Sequence, residues 1–93
     1  DFYVRKNITN NSRFIDNKKT FILNKYFFKQ PQEVVFRSIS IILRKISGRY
    51  YQPRGKSILE LILKINSKKN KKITLGRCFI EKINKTVFIS EEN

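Results

Sequence analysis

Apolar residues along this chain change their spacing part-way. Between Gln32 and Ile46, Val35, Ile39, Ile42 and Ile46 fall at i, i+4, i+7 and i+11, which predicts one face of an amphipathic helix over about 32–47. Pro31 suits its first turn, and Glu33 lies near its positive end. Arg44 and Lys45 lie near its negative end, and Gly48 is a natural stop. A second helix is predicted over about 53–66, with Ile58, Leu59, Ile62 and Ile65 inward and Arg54, Lys56, Glu60 and Lys64 outward. Ser57 and Glu60 have capping-box spacing, so its start is open between Pro53 and Ser57. The connector of residues 49–52 is short enough to predict antiparallel packing of the pair.

After the polar run 66–72 the period becomes two. Ile73 and Leu75, Phe79 and Ile80, and Val87 and Ile89, with Asn84-Lys85 as a turn, predict a β-hairpin over 72–90 with Gly76 as a bulge or bend. Residues 1–31 carry no clear period and are expected to form an irregular lead-in, since Asn7, Asn10, Asn11, Ser12 and Asn17 favour turns. Within it, residues 13–15 and 20–23 suit either two short strands or one strand and a turn. Tyr26, Phe27 and Phe28 suit a short helix ended by Pro31. The expected class is α+β: one small domain over 1–93, with two core helices, short N-terminal elements and a C-terminal β-hairpin.

Composition narrows the chemistry. Ninety-three residues hold one modest core, burying about 60–68% of the unfolded surface. With no His and a single Cys, a disulfide framework, a Cys/His zinc site and histidine-based acid–base chemistry are all excluded. Of the seven acidic residues, Asp1, Glu91 and Glu92 lie at the termini, and Asp16, Glu33, Glu60 and Glu81 are isolated with no close pair; three glycines (Gly48, Gly55 and Gly76) make no phosphate-cradling loop. Cys78 is the one nucleophile candidate. It lies in an alternating stretch without a base to activate it, so a buried structural role is expected. No run of apolar residues approaches the ~20 needed to span a membrane. The chain opens at Asp1 and contains no Met, which is expected of an internal or C-terminal piece of a longer cytoplasmic protein.

Lys and Arg number 21 against 7 acids, a formal charge of +14, which predicts a polyanionic partner. Ile, Asn and Lys make up 37 of the 93 residues, a bias that an AT-rich genome can impose without selection for binding. The distribution of charge therefore matters more than its total. Residues 44–72 contain ten cations and one acid, Glu60. Arg44, Lys45, Arg49, Arg54 and Lys56, with Tyr50 among them, suit phosphate pairing and stacking on a nucleotide. Lys68, Lys69, Lys71 and Lys72 add a basic loop. Nucleic acid is the expected partner ahead of a membrane surface, because no long apolar face remains for lipid once the core is built. A structural RNA-binding protein of ribosomal type and a protein-interaction module are the alternatives.

Three patches add a resemblance. They are residues 22–35 (ILNKYFFKQPQEVV) followed by a helix with an early Arg37, residues 48–54 (GRYYQPR), and residues 74–78 (TLGRC). From Phe21 onward these resemble the C-terminal part of bacterial tRNA(Ile)-lysidine synthetases of the alphaproteobacterial type. Arg77 stands where that family's pattern has a second Gly, and Tyr51-Gln52 differs from its Pro-rich turn. The resemblance implies a parent ligase that uses ATP and Mg to join lysine to the wobble cytidine of an isoleucine tRNA. It places that chemistry in an N-terminal domain outside these residues. It also implies that this segment contributes to tRNA binding and packs with the catalytic domain.

Overall fold

The computed structural model describes residues 1–48 and 53–92. Three helices lie on one face of a five-stranded antiparallel sheet. The order along the chain is α1 (Phe2–Asn11), β1 (Ser12–Ile15), β2 (Thr20–Leu23), α2 (Gln32–Ser47), α3 (Gly55–Ile65), β3 (Lys71–Leu75), β4 (Cys78–Ile83) and β5 (Thr86–Glu91). Short 3₁₀ turns occupy Asp16–Lys18 and Lys25–Lys29. The class is α+β, as the two periods predict.

The two predicted helices form at nearly the expected bounds. On α2, Val35, Ile39, Ile42, Leu43 and Ile46 are all buried, and Gly48 ends the helix at φ +90° with its N–H donating to the Arg44 carbonyl. On α3 the buried stripe is Ile58, Leu61, Ile62 and Ile65, spaced i, i+3, i+4, i+7. Leu59, expected inward, is instead exposed, because it sits about 100° around the helix from Ile58. The helix starts at Gly55, so Ser57 is inside it rather than capping it. Antiparallel packing along the length of α2 is not seen. A Cβ added to Gly55 would lie 3.4 Å from the Phe36 ring, and Leu59, Ile62, Leu63 and Asn66 line a groove with Gln32 and Val35. Both ends of α3 therefore lie by the first half of α2, and α3 lies across it.

The lead-in, expected to be irregular, is largely ordered. Residues 2–11 form α1, capped by the Asp1 carboxylate, which accepts from the Tyr3 and Val4 N–H groups. This helix has almost no apolar stripe. Val4 is buried and Ile8 packs against the core, but Phe2 and Tyr3 face outward. A polar residue makes much of the attachment: buried Asn7 donates from Nδ2 to the Phe27 carbonyl (3.4 Å) and to Ser38 Oγ (3.2 Å), and accepts from Asn11 Nδ2 (2.9 Å). Of the side chains that suggest turns, Asn7 is thus engaged in tertiary bonds, and Asn11 and Ser12 bond one turn back along α1. Residues 13–15 and 20–23 do form two strands, and the aromatic cluster forms the 3₁₀ turn with Asn24 as its cap.

The C-terminal region holds one strand more than a hairpin: β3, β4 and β5 form a meander. Gly76 is not a bulge. With Arg77 it makes a two-residue turn, both at positive φ (59° and 62°), as a type I′ turn requires. Arg77 thus occupies, with a side chain, a conformation that glycine takes freely. The sheet order is β1-β2-β5-β4-β3, so β5 joins the early hairpin to the late meander. Strand alternation sends Phe21, Leu23, Cys78, Ile80, Val87 and Ile89 to the inner face, where they meet α2 and α3 in one core.

Candidate nucleic-acid interface

Of the ten residues singled out from the sequence, the structure describes eight. Arg49 and Tyr50 lie outside the described residues. Arg44 and Lys45 are exposed on the last turn of α2. The Lys45 ammonium lies 4.7 Å from the centroid of the Phe14 ring and 5.7 Å from that of Phe21, a cation–π contact that ties it to the β1–β2 hairpin. Arg54 and Lys56, exposed at the start of α3, are carried away from Arg44 by the crossing of the helices. Phe36, against which α3 begins, lies two turns before Arg44, about 12 Å along the axis. Arg44 and Lys45 thus flank one side of the helix–helix connection, and Arg54 and Lys56 the other.

The lysines after α3 are assembled. Lys68 and Lys69 occupy the exposed loop between α3 and β3, and Lys71 and Lys72 open the edge strand β3. Lys71 is registered opposite Lys82 of β4, two like charges on neighbouring strands. Such a pair is ordinarily destabilising. Here the end of α3 offsets it. Lys82 Nζ donates to the Ser67 carbonyl just past the helix, where the chain end of a helix carries partial negative charge. Asn70 Oδ1 accepts from the Asn84 N–H at 2.8 Å, which pins the loop to the β4–β5 turn. The loop is thereby fastened at two points, and its lysines are presented from a built corner. Glu81 is the acid beside it, and it pairs with Lys72 at 3.8 Å.

Lys82 is the residue that sequence reasoning missed. Its signal is parity: Cys78, Ile80 and Lys82 share the inward face of β4, so a lysine stands where the pattern calls for an apolar residue. Its stem follows the core edge and its ammonium reaches the loop.

Cys78 is fully buried, and its Sγ–H donates to the Leu43 carbonyl at 3.6 Å. Burial, aided by the nearby Glu91 and Glu92 charges, pushes its thiol up to about 11. A thiol held protonated in this way is no nucleophile near neutrality. Among the described residues no three of Cys, Asp and Glu are grouped to hold a metal ion. No described helix is long and apolar enough to cross a membrane.

Against this geometry stand the comparisons with known proteins. No protein-family model matches the chain, and no solved structure matches it. The chain is similar to the tRNA(Ile)-lysidine synthase of Wolbachia sp. subsp. Brugia malayi (strain TRS), with 31% identity over 68 residues. The relationship is distant. The aligned stretch is 72% of this chain and 16% of that protein, so the chain spans about one-sixth of the length of this relative.

Proposed function

We propose that this chain is an RNA-binding module of a cytoplasmic tRNA-modifying protein related to tRNA(Ile)-lysidine synthases, and that tRNA is its partner. The observation that carries this reading is the fastened lysine corner: Lys68, Lys69, Lys71 and Lys82 around one loop, with the nearby acid Glu81 already paired. Ammonium groups presented together attract a phosphate backbone and release its counterions. Arg54 and Lys56 at the uncapped start of α3 would extend the contact to a second point, as would Arg44 at the end of α2. In this reading the ATP- and Mg-dependent joining of lysine belongs to another part of a longer protein, and this chain adds affinity for the tRNA.

A second reading has its own observation. Leu63 is 72% exposed on α3, beside Leu59 and a groove that includes Phe28, Val35 and Ile62. Such a strip suits contact with a catalytic domain of the same parent, and is compatible with RNA binding elsewhere.

The test is binding of the 93-residue chain to a tRNA transcript across a salt series. About four phosphate contacts predict a loss of about 50–150-fold in affinity between 50 and 200 mM salt. Absence of binding, or binding indifferent to salt, would overturn the RNA reading.

A further inference from the structure

The strands have a second face, opposite the one that α2 and α3 close. Register places Arg13, Ile22, Phe88, Glu81 and Lys72 in one row across all five strands. In the next row Phe79 stands between Ser90 and Thr74. Phe88 faces Glu81 and Phe79 faces Ser90, so the two phenylalanines are diagonal neighbours on adjacent strands, about 7–8 Å apart. Both are half-buried, and neither belongs to the core cluster or to the residues packed against it. Neither ring stacks on another aromatic ring among the described residues. Core packing does not explain them.

We infer that this outer face is a platform on which unpaired RNA bases stack, with Phe79 and Phe88 as the two stacking surfaces. The inference rests on the RNA-binding reading above and adds which RNA structure is taken. Three features select single-stranded RNA as the occupant. Two aromatic rings at neighbouring positions offer π-faces to successive bases, and such stacking tolerates any base. The row through Phe88 ends in a cation at each edge of the sheet, Arg13 on β1 and Lys72 on β3. The acid between them, Glu81, has its charge met by Lys72 at 3.8 Å. Ser90 lies beside both rings, and Thr20 and Thr74 continue the row of Phe79 to either side, so hydroxyls suited to sugar and base edges flank the rings rather than a continuous apolar contact. A duplex cannot use such a platform, because its bases are already stacked on one another.

The experiment compares binding of two labelled probes to the 93-residue chain: an oligouridylate of about ten nucleotides and an RNA duplex of about 16 base pairs. Phe79→Leu combined with Phe88→Leu keeps apolar bulk but removes both rings. It is expected to weaken the oligouridylate about tenfold or more, leave the duplex unchanged and leave the salt slope unchanged, since no phosphate contact is lost. Phe79→Tyr with Phe88→Tyr retains stacking and should bind as the unmodified chain does. A readout without any variant is the ring protons of Phe79 and Phe88, which should shift on addition of the oligouridylate. Equal affinity of the folded Leu variant for the oligouridylate would overturn the platform and assign this face to another occupant, such as a protein segment. Unmoved ring protons would overturn it too, even if the Leu variant failed to fold. In either case salt-dependent binding by the unmodified chain would leave the broader RNA reading standing. If the unmodified chain bound neither probe nor tRNA, both would fall.

Discussion

The two faces of the sheet are built from the same strands and differ only in parity, yet they are put to different uses. Inward, the row Phe21–Ile89–Ile80–Ile73 is continuous, apolar and closed by α2 and α3. Outward, the row Ile22–Phe88–Glu81–Lys72 mixes aliphatic, aromatic, acidic and basic residues, none of them in the core cluster. A residue's hydrophobicity therefore does not say which role it has. Ile80 and Phe79 are neighbours in sequence, and only the first is core. The difference teaches that strand parity separates residues that hold the fold from residues free to meet a partner.

The sharpest form of that contrast is a pair of truncations. Ile80→Ala should cost about 2–5 kcal/mol in denaturant unfolding, since Ile80 is fully enclosed and leaves a cavity. Phe88→Leu should cost less than about 1.5 kcal/mol by the same measurement. Comparable losses would erase the distinction between the faces.

A smaller effect is expected where α1 joins the inner side through polar bonds. Asn7→Ala strands buried partners at Ser38 and the Phe27 carbonyl, and should cost about 1–3 kcal/mol. Hydrogen exchange should locate the loosening in residues 2–11. An unaffected α1 would mean that Val4 and Ile8 alone attach it.

An effect confined to alkaline pH is expected on the inner face. Burial raises the Cys78 thiol from 9.0 to about 11, so the folded chain holds that proton more tightly than the unfolded one. The associated stability is fully present below about pH 9 and is lost as pH rises through about 11. Cys78→Ala should flatten that part of the stability–pH curve measured by thermal unfolding. An unchanged curve would assign the alkaline loss to other groups.

Much of the fold was legible because its signals are local. The i, i+4, i+7 spacing on α2 and the alternation after residue 72 report burial directly, and Gly48 marks a helix end that the structure confirms. What was hidden is held by contacts between distant residues. Asn7 reads as a turn former until Phe27 and Ser38 are seen beside it. The pairing of β2 with β5 joins residues about as far apart as the chain allows, and no local pattern encodes it. The candidate site divides in the same way. Lys68, Lys69, Lys71 and Lys72 stay together because one loop and one strand carry them. Arg54 and Lys56 start α3 beside Phe36, a placement that no local spacing encodes. Lys82 was visible only as an exception to parity.

The central claim is that the fastened lysine corner contacts RNA phosphates. Its most direct measurement is the affinity of the 93-residue chain for a tRNA transcript across a salt series, with and without Lys68→Ala, Lys69→Ala and Lys71→Ala combined. Losing three phosphate contacts should flatten the slope of log K against log salt by about 2.1–2.7, at 0.7–0.9 per contact. Lys82 is left in place, so its bond to Ser67 still fastens the loop. A folded triple variant with the same slope and affinity as the unmodified chain would contradict the account.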